Sequence, residues 1–477
     1  PAECKITNRW FMKMEFASAA LGHGPSLCDG GPAPTMAYRG RSLLWGRQSY
    51  RFSDLDWEAN AIDGVGVDWP IRSSDMSPWY DYVERFAGIS GSREGLPQLP
   101  DGQFLPPMEM NCLERQVKDR IAKSFGGRPM IIGRVANLTQ PHNGRGGCQY
   151  RNRCIRGCPY GAYFSSNAAT LPAAYATGKL TLRPFSIVTE LIYDPNTKRA
   201  TGVRIVDAET NQTTEYFARV IFLCASAIAS TFILLNSVSD RFPNGLGNDS
   251  GELGHNLMDH HFKVGATGLS EDFGDRYYKG QRPNGIYVPR FRNLDAKSRQ
   301  KDYIRGFGYQ GGASRENWAR GIKELSHFGA DLKADLIEPG PWRFGIGAWG
   351  ECLPYHENRM YLNKDLRDKW GLPTVTFDAG WKTNELNMRK DMLSSAVEML
   401  EAAGLKNFTP YDDLTGSAPG NCIHEMGTAR MGRDPKTSVL NGFNQVHSAL
   451  NVFVTDGACM ASNSCVNPSL TYMELTT

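Results

Sequence analysis

The chain has 477 residues, 41% of them hydrophobic, enough for a sizeable core spread over two or three domains. Its 53 basic and 50 acidic side chains leave a net charge of +3, a balance from which neither a nucleic-acid footprint nor a polybasic membrane patch follows. Eleven cysteines, an odd and mostly scattered set, exclude a small disulfide scaffold.

The chain opens Pro1-Ala2-Glu3-Cys4 without a basic leader, so no signal peptide is visible. Residues 1–60 are Gly-rich and loop-like. Neither Gly22-His23-Gly24 nor Gly64-Val65-Gly66 makes a dinucleotide fingerprint, because neither has a third glycine at the required offset or a strand before it. Residues 66–88 interleave Trp, Pro and Tyr before a short helical stretch from Tyr80 to Phe86. These aromatics can stack on a sugar, but core or domain packing is the commoner use. Residues 141–162 form a loop carrying Cys148, Cys154 and Cys158, followed by Pro159. Three thiolates this close can hold a soft metal centre. A disulfide leaves one cysteine over, and a zinc site needs a fourth ligand such as His142 or Cys112.

From residue 180 the pattern becomes β: Leu180 to Leu191, Thr201 to Val206, then Arg219 to Cys224. Ala225-Ser226-Ala227 suits a tight strand-to-helix turn whose helix N-terminus is placed to face a phosphate. The stretch Val220 to Val238 is uncharged and long enough for a membrane span. Its five polar residues (Ser226, Ser230, Thr231, Asn236 and Ser237) and β-like first half favour a buried strand turning into a helix. His255, Asp259, His260 and His261 are short-range metal-type ligands. The β-like runs Asp302 to Gln310, Arg343 to Leu353, Arg359 to Leu362 and Pro373 to Phe377 predict a separate antiparallel sheet, with Glu351 available to a polyol. Glu385 to Ala403 reads as one amphipathic helix, with Leu386, Leu393, Ala396, Leu400 and Ala403 on one face and Gly404 as its stop. Residues 422–477 read as loops around a ligand, with one strand at Val452 to Val454.

Two C-terminal blocks carry the most information. The first is Cys422-Ile423-His424-Glu425-Met426-Gly427-Thr428-Ala429-Arg430-Met431-Gly432. The second is Asn451-Val452-Phe453-Val454-Thr455-Asp456-Gly457-Ala458, followed by Asn467-Pro468-Ser469-Leu470-Thr471. In this order they resemble the glucose-methanol-choline (GMC) family of flavin oxidoreductases. Thr201-Gly202-Val203, the Leu253 to His261 segment and Arg41-Ser42-Leu43-Leu44-Trp45-Gly46 support the resemblance. The loop C-x5-C-x3-C-P is similar to that of membrane-associated sugar and polyol dehydrogenases of this family, where three cysteines go with a [3Fe–4S] cluster. The Trp69 to Tyr80 segment looks most like the glucoside 3-dehydrogenase and pyranose 2-oxidase side.

The resemblance implies an α/β fold with a discontinuous FAD-binding domain and a substrate domain on an antiparallel sheet. We expect the first FAD piece at residues 1–262, with the cysteine loop at 141–165, the substrate domain at 263–410, and the catalytic FAD piece at 411–477. The absent fingerprint implies that the family's first βαβ unit is missing from this chain. Leu44 stands where covalent-flavin members carry His, which implies non-covalent FAD; Arg39 and Ser226 each stand where a glycine is usual.

Alcohol oxidation on a flavin moves a hydride to the flavin and a proton to a base, and a near-neutral pKa favours His for that base. By the resemblance His424 is the base and Asn467 orients the hydroxyl. Asp456, Gly457, Ala458, Asn467 and Pro468 pass close to FAD, Val188 offers backbone to the adenine, and Trp45 and Gly46 cover the flavin. Cys148, Cys154 and Cys158 are the cluster ligands, one thiolate per iron. Arg145, Arg151, Arg153 and Arg156 near them are expected to lower the thiol pKa and raise the cluster potential.

The expected protein is an FAD-dependent sugar dehydrogenase passing electrons through the cluster to a cytochrome c subunit. A small accessory subunit, a periplasmic location and membrane contact only through partners go with that reading, and no nucleic acid does. Two alternatives are an oxygen-using oxidase with structural cysteines and a non-catalytic electron-transfer subunit.

Overall fold

Caps and apolar spacing set the element boundaries. A computed structural model describes residues 41–477, apart from Asn152, Ile155, Arg156, Tyr278, Lys279, residues 316–327 and residues 338–339. Arg39, Arg156 and the Gly22 to Leu27 segment therefore lie outside the described residues.

Helix α1 spans Ser73–Ala87, longer than the stretch expected from Tyr80. The Asp75 carboxylate accepts the Arg72 amide at 2.8 Å and starts the helix, and Pro78 inside it costs one ladder bond without ending it. Helix α2, Cys112–Ser124, starts at a capping box in which Asn111 and Glu114 accept each other's amides. A short strand β1, Ile131–Ile132, follows. Next come the meander β2 (Ser186–Asp194), β3 (Arg199–Asp207) and β4 (Thr213–Phe217), then β5 (Ile221–Leu223) and helix α3 (Ala227–Asn236). The uncharged stretch is thus a strand and a helix. No helix among the described residues is long and apolar enough to cross a membrane.

Strands β6 (Val264–Ser270), β7 (Ile286–Val288), β8 (Phe307–Arg315) and β9 (Trp342–Gly350) lead to the hairpin β10 (Arg359–Arg367) and β11 (Pro373–Asp378). Helix α4 (Thr383–Ala402), β12 (Lys406–Asp412), β13 (Gln445–Val446), β14 (Ala449–Val454) and helix α5 (Ser469–Thr476) complete the chain.

The large sheet has the order β12-β6-β9-β8-β7-β1, antiparallel throughout, as the resemblance implied. Helix α4 packs on it through Met388, Met392, Ala396, Met399 and Ala403. Of the expected face, Ala396, Leu400 and Ala403 are buried in this core and Leu393 packs against it, whereas Leu386 is 39% exposed; Met388, Met392 and Met399, spaced by four and seven, fill the rest of the contact with the sheet. Leu113, Val117 and Ile121 of α2 join the same core, although they precede residue 263.

A second core gathers β5, β14 and α3 with residues of the meander and of α1. Its parallel pair β5–β14 runs in the sheet β13-β14-β5. The hairpin β10–β11 contributes Met360 and Phe377 to this core, so it packs with the FAD-type pieces and not in the antiparallel sheet. The second core therefore draws residues from both sides of the expected cuts at 262 and 410, and the sheet core from both sides of 262. Trp69 and Tyr80 are core residues, whereas Trp79 and Tyr82 are exposed.

Candidate active site

His424 is carried on the irregular segment after β12, and one carboxylate holds that segment. Asp259, 1% exposed, accepts the amides of Gly420 (2.6 Å) and Cys422 (3.2 Å) on Oδ2 and those of His424 (3.0 Å) and His260 (2.9 Å) on Oδ1. Four amide donors around one buried anion fix the base loop. The fixation sustains an unusual backbone: Ile423, a β-branched residue, has φ +68°, which costs on the order of 1–3 kcal/mol. Gly427 is required for the same packing, since a Cβ there meets the Asn256 carbonyl at 2.0 Å.

The segment from His255 to His261 is irregular, with isolated bridges at Met258 and His261. Its four metal-type residues diverge. His255 stacks on His356, His261 lies against Trp381, Asp259 holds the base loop, and His260 reaches the base itself. His260 Nδ1 is 2.8 Å from His424 Nδ1, and its Nε2 donates to the Ser464 carbonyl. Burial pushes His260 down to about 4, so it is neutral at pH 7.

Asn467 meets His424 as expected, its Nδ2 lying 3.3 Å from His424 Nε2. Gln310, on β8, holds the other end of that amide by donating Nε2 to Asn467 Oδ1 at 2.6 Å. Cys422 Sγ lies 3.4 Å from His424 Nδ1. His260, Cys422 and His424 bring three ligand-type atoms within 4.8 Å, and hydrogen bonds among them already occupy those atoms. The sequence reading gave no part in the base centre to Gln310, Cys422, Asp259 or the Ser464 carbonyl. His260 stood out only as a possible ligand.

The residues expected around FAD fall into two groups. Asp456 is buried and bonded inward: its Oδ2 accepts Ser226 N at 2.9 Å and the Ser230 hydroxyl, and its Oδ1 accepts Ala458 N at 2.9 Å. A carboxylate thus already sits at the N-terminus of α3, where the positive end of the helix favours an anion, at the turn expected to face a phosphate. Ser226 (φ +91°) keeps its Oγ buried without a partner at this turn. An unpaired hydroxyl beside a carboxylate fits a hydroxyl-bearing part of a nucleotide better than its phosphates. Gly457 is required by the protein itself, since a Cβ there meets the Glu425 carbonyl at 2.3 Å. Asn467 and Pro468 are buried, with Pro468 starting α5. Val188 lies partly buried on β2, and Leu44 is exposed with no histidine in its place.

Trp45 is fixed rather than loose. Its Nε1 donates to the Phe164 carbonyl at 3.0 Å, and its own carbonyl accepts the Arg47 Nη1 (3.1 Å) and the Tyr163 hydroxyl (3.3 Å). Trp45 and the neighbouring exposed Gly46 therefore sit against the return of the cysteine loop.

On that loop Cys148, Cys154 and Cys158 are half-buried, unbridged, and not all within 4.8 Å of one another. Burial pushes the Cys148 thiol up, and the neighbouring Cys154 and Cys158 add to the shift; Arg47 acts the other way. At Cys148 burial thus outweighs the lowering effect of arginine. Arg145 donates its Nη2 to the Ala87 carbonyl at 2.6 Å. Glu351 is no polyol ligand either. It is fully buried against Arg290 at 3.0 Å, and burial pushes it up to about 7.

The N-terminal and C-terminal family models of GMC oxidoreductases match residues 132–262 and 354–476. The chain is 27% identical over 445 residues to the fructose dehydrogenase large subunit of Gluconobacter japonicus, covering 91% of this chain and 78% of that one. It is 27% identical over 463 residues to the 6'''-hydroxyparomomycin C oxidase of Streptomyces lividus, covering 95% and 80%. The structure superposes on a formate oxidase of Aspergillus oryzae with a TM-score of 0.58 at 14% identity, covering 91% of this chain and 81% of that one. With the matched segments spanning more than half of its length, the chain belongs to the GMC oxidoreductase family and is an FAD-dependent oxidoreductase acting on CH–OH groups, which sets aside the non-catalytic reading.

Proposed function

We propose that this chain is a sugar dehydrogenase that oxidises a hydroxyl of a glucoside or aldose, with ring carbon C3 the first to test. The observation that carries this reading is the pairing of His424 Nε2 with Asn467 Nδ2 at 3.3 Å inside the two family blocks. The similarity to a protein named fructose dehydrogenase large subunit supports a sugar substrate and a multi-subunit assembly. FAD, when bound non-covalently, supplies the acceptor for the hydride. His424 Nε2 takes the hydroxyl proton, and the Asn467 amide holds the hydroxyl oxygen as it gains charge. The carbon loses a hydride and the oxygen a proton, leaving a carbonyl. Positioned base catalysis of this kind contributes roughly 10²–10⁴ in rate.

The same reading assigns Cys148, Cys154 and Cys158 to a [3Fe–4S] cluster, which would supply a one-electron exit towards a cytochrome c subunit. A small accessory subunit and a periplasmic location belong to it, as does membrane contact only through partners. The chemistry of three unbridged thiols on one loop supports the cluster. The oxidase alternative keeps support from the similarity to an enzyme named an oxidase.

Flavin and iron analysis of the purified holoenzyme decides between them. Flavin with iron is expected, and flavin without iron overturns the relay in favour of the oxidase. In the same preparation, His424→Ala should slow sugar-driven flavin reduction by roughly 10²-fold or more with FAD retained. Reduction at the wild-type rate in that variant removes His424 from the mechanism.

A further inference from the structure

A histidine can serve as a base only through a nitrogen that carries no proton, and neutral imidazole has two tautomers to choose between. The surroundings of His424 make that choice. The fixed point is the Ser464 backbone carbonyl, which can only accept. His260 Nε2 points at it and must carry the proton. His260 is 1% exposed and neutral, so its Nδ1 is a bare lone pair. The atom facing that lone pair at 2.8 Å is His424 Nδ1, which must therefore be the donor. Cys422 Sγ, 3.4 Å from the same nitrogen, is a second and weaker acceptor for its proton.

The far end of the network agrees independently. Gln310 Nε2 donates to Asn467 Oδ1 at 2.6 Å, which turns Asn467 Nδ2, a donor, towards His424 Nε2 at 3.3 Å. An amide N–H facing Nε2 is satisfied only if Nε2 is bare. Five groups thus form a chain with one direction, from Gln310 through Asn467, His424 and His260 to Ser464. The bond to Asn467 is longer than the His260–His424 and Gln310–Asn467 bonds, so it is the one a substrate hydroxyl can enter.

We infer that His260 is a positioning residue that holds His424 in the Nδ1–H tautomer, so that Nε2 is a bare lone pair before substrate arrives, with Gln310 fixing the Asn467 amide to match. The inference rests on the reading of His424 as the base. It explains why a second histidine is buried beside the first: its value lies in being an acceptor on one nitrogen and a donor on the other. The cost of losing such control is known in general terms, since an orienting acceptor replaced by a group of the wrong polarity lowers turnover by about 10⁴ in serine proteases.

The direct test is a nitrogen-15 spectrum of the holoenzyme labelled at histidine, with His424 assigned by its loss in His424→Ala. A neutral Nδ1–H tautomer at pH 8 is expected, and an Nε2–H tautomer overturns the inference. Kinetics supply the second arm. His260→Phe should lower the limiting rate of flavin reduction by about 10²-fold at every pH from 6 to 9, with KM changed less than about threefold. His260→Asn, whose Oδ1 can accept from His424 Nδ1, should recover to within about tenfold of wild type. Equal losses in the two variants overturn the inference, because a filler role does not distinguish them. If His260→Phe fails to retain FAD, the wild-type spectrum still decides. An Nδ1–H signal together with wild-type reduction in His424→Ala would instead refute the base assignment, which keeps the two failures apart.

Discussion

Around His424 the side chains determine one another: Asp259 gathers four amides, His260 and Asn467 address the two ring nitrogens, and Gln310 fixes the Asn467 amide. The cysteine loop is built differently. Its thiols are half-buried, Cys148 Sγ receives the Tyr150 amide at 3.4 Å, and burial and the neighbouring thiols hold the Cys148 proton on. On the proposed relay, the contrast follows from what each region would handle. A proton brings no geometry, so the protein has to fix donor and acceptor in advance. A metal centre brings its own geometry and displaces thiol protons as it binds, so the loop can leave its final arrangement to the ligand.

Cys154→Ser separates the two regions most sharply. Reduction of the flavin by sugar should stay within about twofold, while transfer to a cytochrome acceptor falls to background. Undiminished cytochrome reduction in that variant shows that the loop is no relay. The next largest effect is expected of Asp259→Asn, which presents an NH2 group to amide donors. The urea midpoint should fall by the equivalent of about 3 kcal/mol, with loss of base function. A stability change under about 0.5 kcal/mol shows that the base loop holds itself.

The smallest effect is that of pH. His260 titrates at about 4 in the fold against 6.5 in the open chain, and burial also holds His261 well below 6.5. A depressed histidine pKa means that the unfolded chain binds the proton first. The stabilisation is complete above pH 6.5 and is lost as pH falls towards 4. Denaturant titration at pH 7 and pH 5 should show a loss on the order of 1–2 kcal/mol from His260, and His260→Asn should flatten it. An unchanged slope in that variant places the acid sensitivity elsewhere.

Much of this was legible in the sequence. His424 and Asn467 stand in blocks whose residue types announce their chemistry, and the uncharged run from Val220 was a strand entering a helix. Helix α2 was legible but unread: Asn111 and Glu114 spell a capping box ahead of Leu113, Val117 and Ile121. What the sequence hides is polarity over distance. Gln310 lies 157 residues from Asn467, and His260 lies 164 from His424, so no local pattern marks either pair. The same holds for Asp456, which accepts the amide of a turn 230 residues away. On α4 the sequence placed Ala396, Leu400 and Ala403 rightly, but Leu386 is exposed, and the buried methionines beside them carried no periodic signal of their own because they fit the sheet by shape.

The Ser464 carbonyl has a consequence for how this site can vary. It is the fixed acceptor at the end of the chain of hydrogen bonds, and it belongs to the backbone. No substitution at position 464 deletes that carbonyl, whereas the buried Ser464 hydroxyl, which accepts the Val466 amide at 3.3 Å, helps to hold the loop's path. The direction of the proton is thereby inherited through the main chain, and mutational load falls on the residues that aim at it.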